Sequence, residues 1–581
     1  MAGLLYLSVG VHFRVDAYGE GLYDLHYLAA GWLQAGWPTP ELWAPGGLVQ
    51  HYYNFGLASL GWLGAALGVG VGSTYVLGLI ALPAAVFALC WLMLAGPYWY
   101  RIPAAIVATF PATGLSLIVG ANWVDVPGHL RGMAHVRLPE WADRAGDLAW
   151  AQALMNGQAY PIESLAHLIL ELQDLHPPVW GVLVLALLLL WFLGGRQQEQ
   201  PAERHGGRAG IMDGVLPGAL LPLAYAVNAW MLPLYMGVLS GMLILRRRVW
   251  LLPGVVLGAA AAGLLLWWPF FAHFESTGAV QLNWVPAAAR SKLGQWSLIW
   301  WPQVLATLAW LALCWQDHRR GRSLAWSWAL LPAVFVMAVL SLELILLDDA
   351  YSGAYERFNS VLKTGSLALF GWTASLLILA SRRPHGTWGM VLMLALLAPP
   401  AALQIRDVGV RYLEAQTNPN WRLHSQAMLP GLDNQALVAA LCEQTPGTVL
   451  APISTDAYNL DPAIPTLCAM PTWSGWAAHL RQIESFSAAA NRAREALKGW
   501  YAHPSSGLLA DYGVDYVLIS FAQRWSAAKI AEAQRELGVA WRWQPVAISP
   551  QGHHAGFFAT QALACSHSQT SARIGCTDLS P

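Results

Sequence analysis

Three stretches of this chain crowd charged, imidazole and aromatic side chains beside long apolar runs. The first, FRVDAYGEGLYDLHYLAAGWLQAGWPTPELWAPGGLVQHYYNFG, carries Asp16, Glu20, Asp24, His26, Glu41, His51, Tyr52, Tyr53 and Asn54. The second ends PIESLAHLILELQDLHPPVWG and carries Glu163, Glu171, Asp174 and His176. The third, LLDDAYSGAYERFNSVLKTG, carries Asp348, Asp349, Glu356, Arg357, Asn359 and Lys363. Such clusters suit an anionic lipid-linked substrate. Basic groups grip a phosphate, Arg in bidentate fashion. A carboxylate accepts a proton from an attacking hydroxyl when it lies within about 3 Å of it. Aromatic rings stack on sugar faces. Acidic residues with His176 also suit a divalent cation.

Each cluster also has a plainer reading. Asp174 before Pro177 and Pro178 is a helix N-terminal signal. Tyr52 and Tyr53 fit an aromatic belt. Asp24 and His26 are two apart, so on a helix they face different ways. Glu163 and Glu171 fit an interfacial position. Arg357 has Glu356 as a local partner. Lys363 is harder to dismiss, because it falls inside an apolar segment, where an ionisable group faces a cavity or a partner.

The elements that must position these residues follow from composition. The 581 residues are 56% hydrophobic and 11% charged, against roughly 25% charged in soluble domains. Such a chain lacks the polar surface to cover itself in water. The 32 tryptophans suit the headgroup layer, where an apolar ring keeps a wet N–H. A net charge of −1 offers no basic field for nucleic acid. A bilayer-spanning helix needs about 20 apolar residues. Candidate spans are 74–95, 103–120, 179–195, 211–228, 231–246, 249–271, 297–315, 323–346, 361–381 and 387–403.

Lys and Arg in short loops set orientation. Four basic clusters, at Arg196 to Arg208, Arg246 to Arg248, Arg319 to Arg322 and Arg382 with Arg383, fall on one side if the spans alternate. The loops 13–73, 121–178, 272–296 and 347–360, and the tail after 403, then face outward. The start, Met1 to Phe13, is short for a span, since 13 helical residues reach about 20 Å. It reads as a shortened first helix or a late start codon. The apolar run Tyr53–Gly72 either crosses as a full span, which would put residues 13–50 inside, or lies against the outer face, partly embedded, the placement preferred here.

From residue 404 charge spreads out as in a water-exposed fold. Thr448–Ile453 and Tyr516–Ser520 read as buried strands, and Ile483–Tyr501 and Ala527–Leu537 as helices. LLADYGVDYVLI, Leu508–Ile519, reads as a helix end, a Gly cap and a strand. Cys90 and Cys314 read as core residues. Cys442–Cys468 with Cys565–Cys576 is the simplest of three disulfide pairings. The chain therefore divides into a membrane domain, 1–403, and an extracytoplasmic α/β domain, 404–581. No Gly-rich phosphate loop, CxxC pair or HExxH motif occurs, against a nucleotide-hydrolysing pump or zinc protease.

At these same residues the chain resembles the archaeal and bacterial membrane proteins named for a YYY motif, which in turn resemble the GT-C membrane glycosyltransferases. The family's NYYYFGH is similar to HYYNFG, His51–Gly56, and its PP-DPW to PTPELW, Pro38–Trp43. Its membrane-facing Asp is matched in YDLHY, Tyr23–Tyr27. EFPFFSFLLGDLHPH is similar to Ile162–Pro178, LNTWDLPTY to VNAWMLPLY at Val227–Tyr235, and RMNTVFK to RFNSVLK at Arg357–Lys363. PTVLGWPGHE is similar to PTWSGWAAHL, Pro471–Leu480, which brings in Trp476 and His479, and KYGVDYIYVG to DYGVDYVLIS. Asn54, Leu57, Pro178, Met231 and Leu480 depart from the pattern, which implies divergent specificity or impaired catalysis.

The resemblance implies a GT-C-like polytopic α-helical protein of about ten to twelve spans in the inner membrane, its C-terminal α/β domain periplasmic or otherwise extracytoplasmic. It implies a polyprenyl-phosphate sugar as donor and a one-step inverting transfer to a surface glycan or lipid. Asp24 matches the base, with Asp16 and Glu20 as competitors. Asp174 and His176 match the second acidic motif, and Arg357 and Lys363 the donor phosphate's site. These stretches are expected to converge at the non-cytoplasmic water boundary. Two other functions suit the same features: a non-catalytic carrier or flippase, and a membrane-anchored surface-assembly protein.

Overall fold

The computed structural model describes residues 21–49, 54–114, 169, 175–194, 207–245, 249–274, 281–287, 290–291, 293–321, 331–348, 360–383, 387–415, 432–453, 462–476 and 484–560. They fall into two compact units. One is drawn from Leu79–Ala272 and Gly278–Pro419, the other from Gly10–Gly78, His273–Thr277 and Asn420–Pro581.

The first unit is helical because its sequence leaves the backbone no other choice. Away from water, every N–H and C=O must be satisfied within the chain, and a helix does so locally. Among the described residues three helices, Val71–Met93, Lys363–Ser381 and Thr387–Arg406, are long and apolar enough to cross a membrane. Shorter apolar helices include Pro177–Leu193, Asp213–Val227, Leu252–Leu265 and Leu331–Ser341. At the centre stands Ser366–Ser381, with all its residues buried. It packs on Leu331–Ser341, Pro177–Gly194, Tyr98–Thr109, Leu293–Arg319 and Thr387–Ala415. Outer helices instead expose apolar side chains, such as Val256, Leu257, Leu264 and Leu265 of Leu252–Leu265. Burying that face takes lipid or another chain.

Within the expected span 103–120 the helix is Tyr98–Thr109 and ends at Phe110, and two further expected spans are interrupted. The stretch 249–271 is broken into a 3-10 turn at Val249–Leu251 and helices Leu252–Leu265 and Trp268–His273. Pro269 sits at the start of the last of these, where its missing N–H costs nothing. Within 323–346 the helix is Leu331–Ser341, and Ile345–Asp348 is a strand paired antiparallel with Gln281–Trp284. A short apolar run has no period by which to tell strand from helix.

One end of this unit is tied by two arginines. Arg382 donates from Nε to the Met93 carbonyl at 2.8 Å and from Nη1 to the Leu193 carbonyl at 2.7 Å. It thereby satisfies the last turns of two helices, whose carbonyls carry the negative end of the dipole. Arg383 grips Asp317 in a fork, Nε to Oδ2 at 2.5 Å and Nη2 to Oδ1 at 3.0 Å, with Asp317 fully buried. The C-terminal ends of helices Val71–Met93, Pro177–Gly194, Leu293–Arg319 and Ser366–Ser381 therefore meet at one place. Arg382 and Arg383 form one of the basic clusters read from the sequence.

The second unit has a four-stranded sheet in the order Val449–Leu450, Tyr516–Ile519, His554–Thr560, Trp541–Ile548. The first pair is parallel and the others are antiparallel. Tyr516–Ile519 is buried throughout, as its apolar, β-branched sequence predicts. Gly513, at φ +59°, ends the preceding helix Ser506–Asp511 in the left-handed conformation. Ser526 caps Ala527–Leu537 by accepting from Lys529 N. A disulfide joins Cys442 to Cys468, while Cys90 and Cys314 are free and buried. Cys565 and Cys576 lie outside the described residues. The run Tyr53–Gly72 yields a helix, Phe55–Ala66, of 12 residues, well short of the about 20 that cross a bilayer. It packs on Gly21–Leu33 with Gly61 against Leu28 and Gly31 against Ala58.

In the first unit, helices Gly207–Val227 and Leu252–Leu265 approach at backbone distance. A methyl group on Gly218 would run into the Val255 carbonyl, and one on Gly258 into that of Val215. Small residues let helices in membranes pack this closely. Gly218→Val or Gly258→Val is expected to cost about 1–3 kcal/mol or more through overpacking, seen as a lower melting temperature of the detergent-purified protein. Gly263→Ala, whose added carbon would sit 3.8 Å from Pro222 Cγ, is the matched control and should melt like the parent.

Candidate functional site

Two polar clusters form within this apolar chain, one in each unit. In the second unit, helix Gly21–Leu33 buries nearly its whole length, including Tyr23, Asp24, His26 and Tyr27. Tyr23 and Tyr27 are one turn apart, and the Tyr27 hydroxyl donates to that of Tyr23 at 2.5 Å. His26 Nε2 lies 2.5 Å from Glu41 Oε1, which also accepts from the Trp43 backbone N–H at 3.0 Å. Glu41 is held by a two-residue antiparallel pairing of Pro40–Glu41 with Gly47–Leu48. Trp43 donates from Nε1 to Thr466 Oγ1 at 3.0 Å.

Aromatic rings wall this cluster. His26 stacks on Trp43 with centroids 4.6 Å apart, and Tyr23 stacks on Trp476 at 6.3 Å. Trp43 and Trp476 lie 5.3 Å apart. Gly475 is required here, because a side chain there would enter Trp43. The Leu42 carbonyl accepts from Thr472 N at 2.6 Å, and Arg494 donates to the Trp473 and Gly475 carbonyls. Asn54, also buried, donates from Nδ2 to Thr39 Oγ1 at 3.3 Å. Three motifs quoted from the sequence, at Tyr23–Tyr27, Pro38–Trp43 and Pro471–Trp476, thus come together.

In the first unit, Lys363 sits in a π-helical turn, Ser360–Gly365, that opens helix Ser366–Ser381. Such turns recur at functional sites. The lysine is 7% exposed, with Nζ 5.5 Å from the centre of the Trp230 ring, a cation–π distance. Thr364 Oγ1 donates to the Trp230 carbonyl at 3.3 Å. Trp230 lies in a 3-10 turn, Ala229–Met231, entered through Asn228 at φ −169° and ψ 96°. Helix Pro177–Gly194 reaches the same place. A Cβ at Gly181 would lie 3.0 Å from Leu367 Cδ2 and 3.3 Å from Met231 Sδ. His176, nearly buried, precedes that helix and accepts at its carbonyl from Val179 N. Three further quoted motifs, at His176–Pro178, Val227–Tyr235 and Ser360–Lys363, are gathered here.

Of the residues nominated from sequence, Asp24, His26, Asn54 and Trp476 belong to one unit, and His176 and Lys363 to the other. Asp16, Glu20, His51, Tyr52, Tyr53, Glu163, Asp174, Glu356, Arg357, Asn359 and His479 lie outside the described residues. Sequence reasoning did not nominate Tyr23, Tyr27 and Trp43 as site residues, nor Asn228, Trp230 and Tyr235. The last three stand in VNAWMLPLY, so the signal was a polar residue inside an apolar run beside a matched motif. Among the described residues no group of three or more His, Cys, Asp or Glu side chains is placed to hold a metal ion.

Chemically, the first cluster offers a buried carboxylate and an imidazole–carboxylate pair, enclosed by aromatic rings packed on one another. The second offers a cation, an indole and amide and phenol groups. No family model matches the chain, and no curated protein matches it. Among solved structures, the arabinofuranosyltransferase AftD from Mycobacteria is similar with a TM-score of 0.35 and 16% identity, over 96% of this chain. This chain spans 41% of the length of that one. The oligosaccharyltransferase of Archaeoglobus fulgidus, solved with Zn and sulfate, is similar with a TM-score of 0.34 and 12% identity, over 96% of this chain and 72% of that one. At these scores neither likeness bears on mechanism.

The shared acceptor in the first cluster gives a test. Glu41→Ala leaves the buried His26 ring and the Trp43 N–H without their acceptor, a loss of about 1–3 kcal/mol. Glu41→Gln keeps an acceptor oxygen and is expected to lose less. Thermal melts of the full chain should rank parent above Glu41→Gln above Glu41→Ala; equal melts would remove this pair from the framework of the cluster.

Proposed function

We propose that the protein is a membrane glycosyltransferase that moves a sugar from a polyprenyl-phosphate donor to a cell-surface glycan or lipid at the outer face of the membrane. The observation that carries this reading is Lys363. It is a nearly buried cation at the head of a helix long and apolar enough to span a bilayer. A charge in that position is costly and marks a substrate path or a partner. Its described surroundings include an indole ring and two helix interruptions. That environment suits the phosphate of a lipid-linked donor, with the prenyl chain in the bilayer. The resemblance to the YYY-motif proteins, which rests on the quoted residues alone, supports the same assignment.

In the proposed step the acceptor hydroxyl attacks the anomeric carbon as the bond from that carbon to the phosphate oxygen breaks. The configuration inverts, the hydroxyl proton passes to a carboxylate base, for which the family resemblance alone nominates Asp24, and polyprenyl phosphate leaves as an anion. Lys363 stabilises the charge that develops on the phosphate. The Cys442–Cys468 disulfide fits a non-cytoplasmic, oxidising setting for the C-terminal region.

One observation favours a second reading. Transporters place substrate where helices are interrupted, and both the extended Asn228 and the π-turn at Lys363 are interruptions. A carrier for a lipid-linked substrate uses the same locus without a base.

Mass spectrometry of lipid-linked sugars and surface glycans separates the two. A deletion strain complemented with Asp24→Asn or Lys363→Met should accumulate polyprenyl-phosphate sugar and lack the product glycan. Loss of a general base lowers turnover by about 10²–10⁴-fold. Normal glycans in Asp24→Asn, with loss in Lys363→Met, would favour the carrier. Normal glycans in both would leave an anchoring role.

A further inference from the structure

The segment that carries Trp230, the ring facing Lys363, also carries two buried polar side chains. Asn228 is fully buried, and among the described residues neither its Oδ1 nor its Nδ2 has a hydrogen-bond partner. It occupies the cap position before the Ala229–Met231 turn but makes no side-chain capping bond. Tyr235, one helical turn beyond Met231, is also fully buried, and its hydroxyl has no partner among the described residues. Groups of this kind are expensive to leave orphaned, and an apolar residue of the same shape would remove the cost. Leu at 228 and Phe at 235 would satisfy packing better. The two orphans bracket Trp230, whose ring faces Lys363 Nζ and whose carbonyl is held by Thr364. Their number and position point to a ligand.

The donor and acceptor balance says which kind. An ionised phosphate accepts hydrogen bonds and donates none, so it can satisfy Asn228 Nδ2 and the Tyr235 hydroxyl but not Asn228 Oδ1. A hydroxyl both donates and accepts and can complete the amide. We propose that Asn228 and Tyr235 bind hydroxyl groups of the sugar whose phosphate Lys363 holds, and so set which sugar the protein takes. This rests on the assignment of Lys363 to a donor phosphate and goes beyond it, because it names the residues that read the carbohydrate. A site built to pair with a hydroxyl rejects a ligand lacking it strongly, since its own buried groups are then left unpaired.

The experiment uses the full chain purified in detergent. The probes are farnesyl phosphate and a panel of farnesyl-phosphoryl hexoses and pentoses, with affinity read by calorimetry. The parent protein should bind at least one sugar-bearing probe about tenfold or more tighter than farnesyl phosphate. Asn228→Leu and Tyr235→Phe should each lower that preference by about tenfold. Both should hold farnesyl phosphate within about twofold of the parent and melt at or above its temperature, since each removes an orphaned polar group. Four results overturn the inference: no sugar preference in the parent, preference retained in both variants, equal loss of farnesyl phosphate and sugar probes, or a lowered melting temperature in both. The last would reassign the pair to bound water or to structure. Failure of the underlying reading shows separately: Lys363→Met would then bind farnesyl phosphate as the parent does.

Discussion

In a chain this apolar, a buried polar group must find its partner within the fold or await one from outside. That constraint orders the structure. Where partners exist, they hold the helices together. Arg382 takes the last carbonyls of two helices, and Arg383 takes the buried Asp317. Leaving either set unmade in a low-dielectric setting costs more than forming it gains. The same logic applies to Glu41, which serves His26 and Trp43 at once. Where none stands among the described residues, as at Asn228 and Tyr235, the fold carries a standing cost that structure alone does not explain.

The helix interruptions follow from the same constraint. A straight helix consumes its own backbone groups and presents side chains in a fixed rotation. The π-turn at Ser360–Gly365 and the extended residue at Asn228 break that rotation in two neighbouring segments. They bring Lys363 over Trp230 and free backbone for the Thr364 bond. The second unit reaches a comparable result by other means. There a helix buried on nearly every side carries the polar residues, and glycines at 31, 61 and 475 let main chain and rings close in.

Much of this was legible in the sequence. Long apolar runs located most of the described helices, and the basic pair at Arg382 and Arg383 marked the end of one of them. LLADYGVDYVLI gave its helix, glycine cap and strand because each carries a local signal. The Ile345–Asp348 strand was read as a helix end, since ILLD is apolar with no period and its partner Gln281–Trp284 lies far away in sequence. The hairpin Trp541–Ile548 with His554–Thr560 was missed because Pro545 interrupts the run and one strand is half exposed. Among site residues, charge and motif led to Lys363, His26 and Asp24. They did not lead to Asn228 or Tyr235, because whether a polar group is satisfied depends on what the fold brings beside it.

Under the proposed function Lys363 and Asp24 serve sugar transfer from a lipid phosphate. Its most direct test is the purified protein in nanodiscs with a polyprenyl-phosphoryl sugar labelled in the sugar, together with extracted surface glycan as acceptor. The account expects free polyprenyl phosphate and labelled glycan to form in equal amounts, and both to vanish in Asp24→Asn. Donor that binds through Lys363 yet stays intact under every acceptor supplied would contradict it.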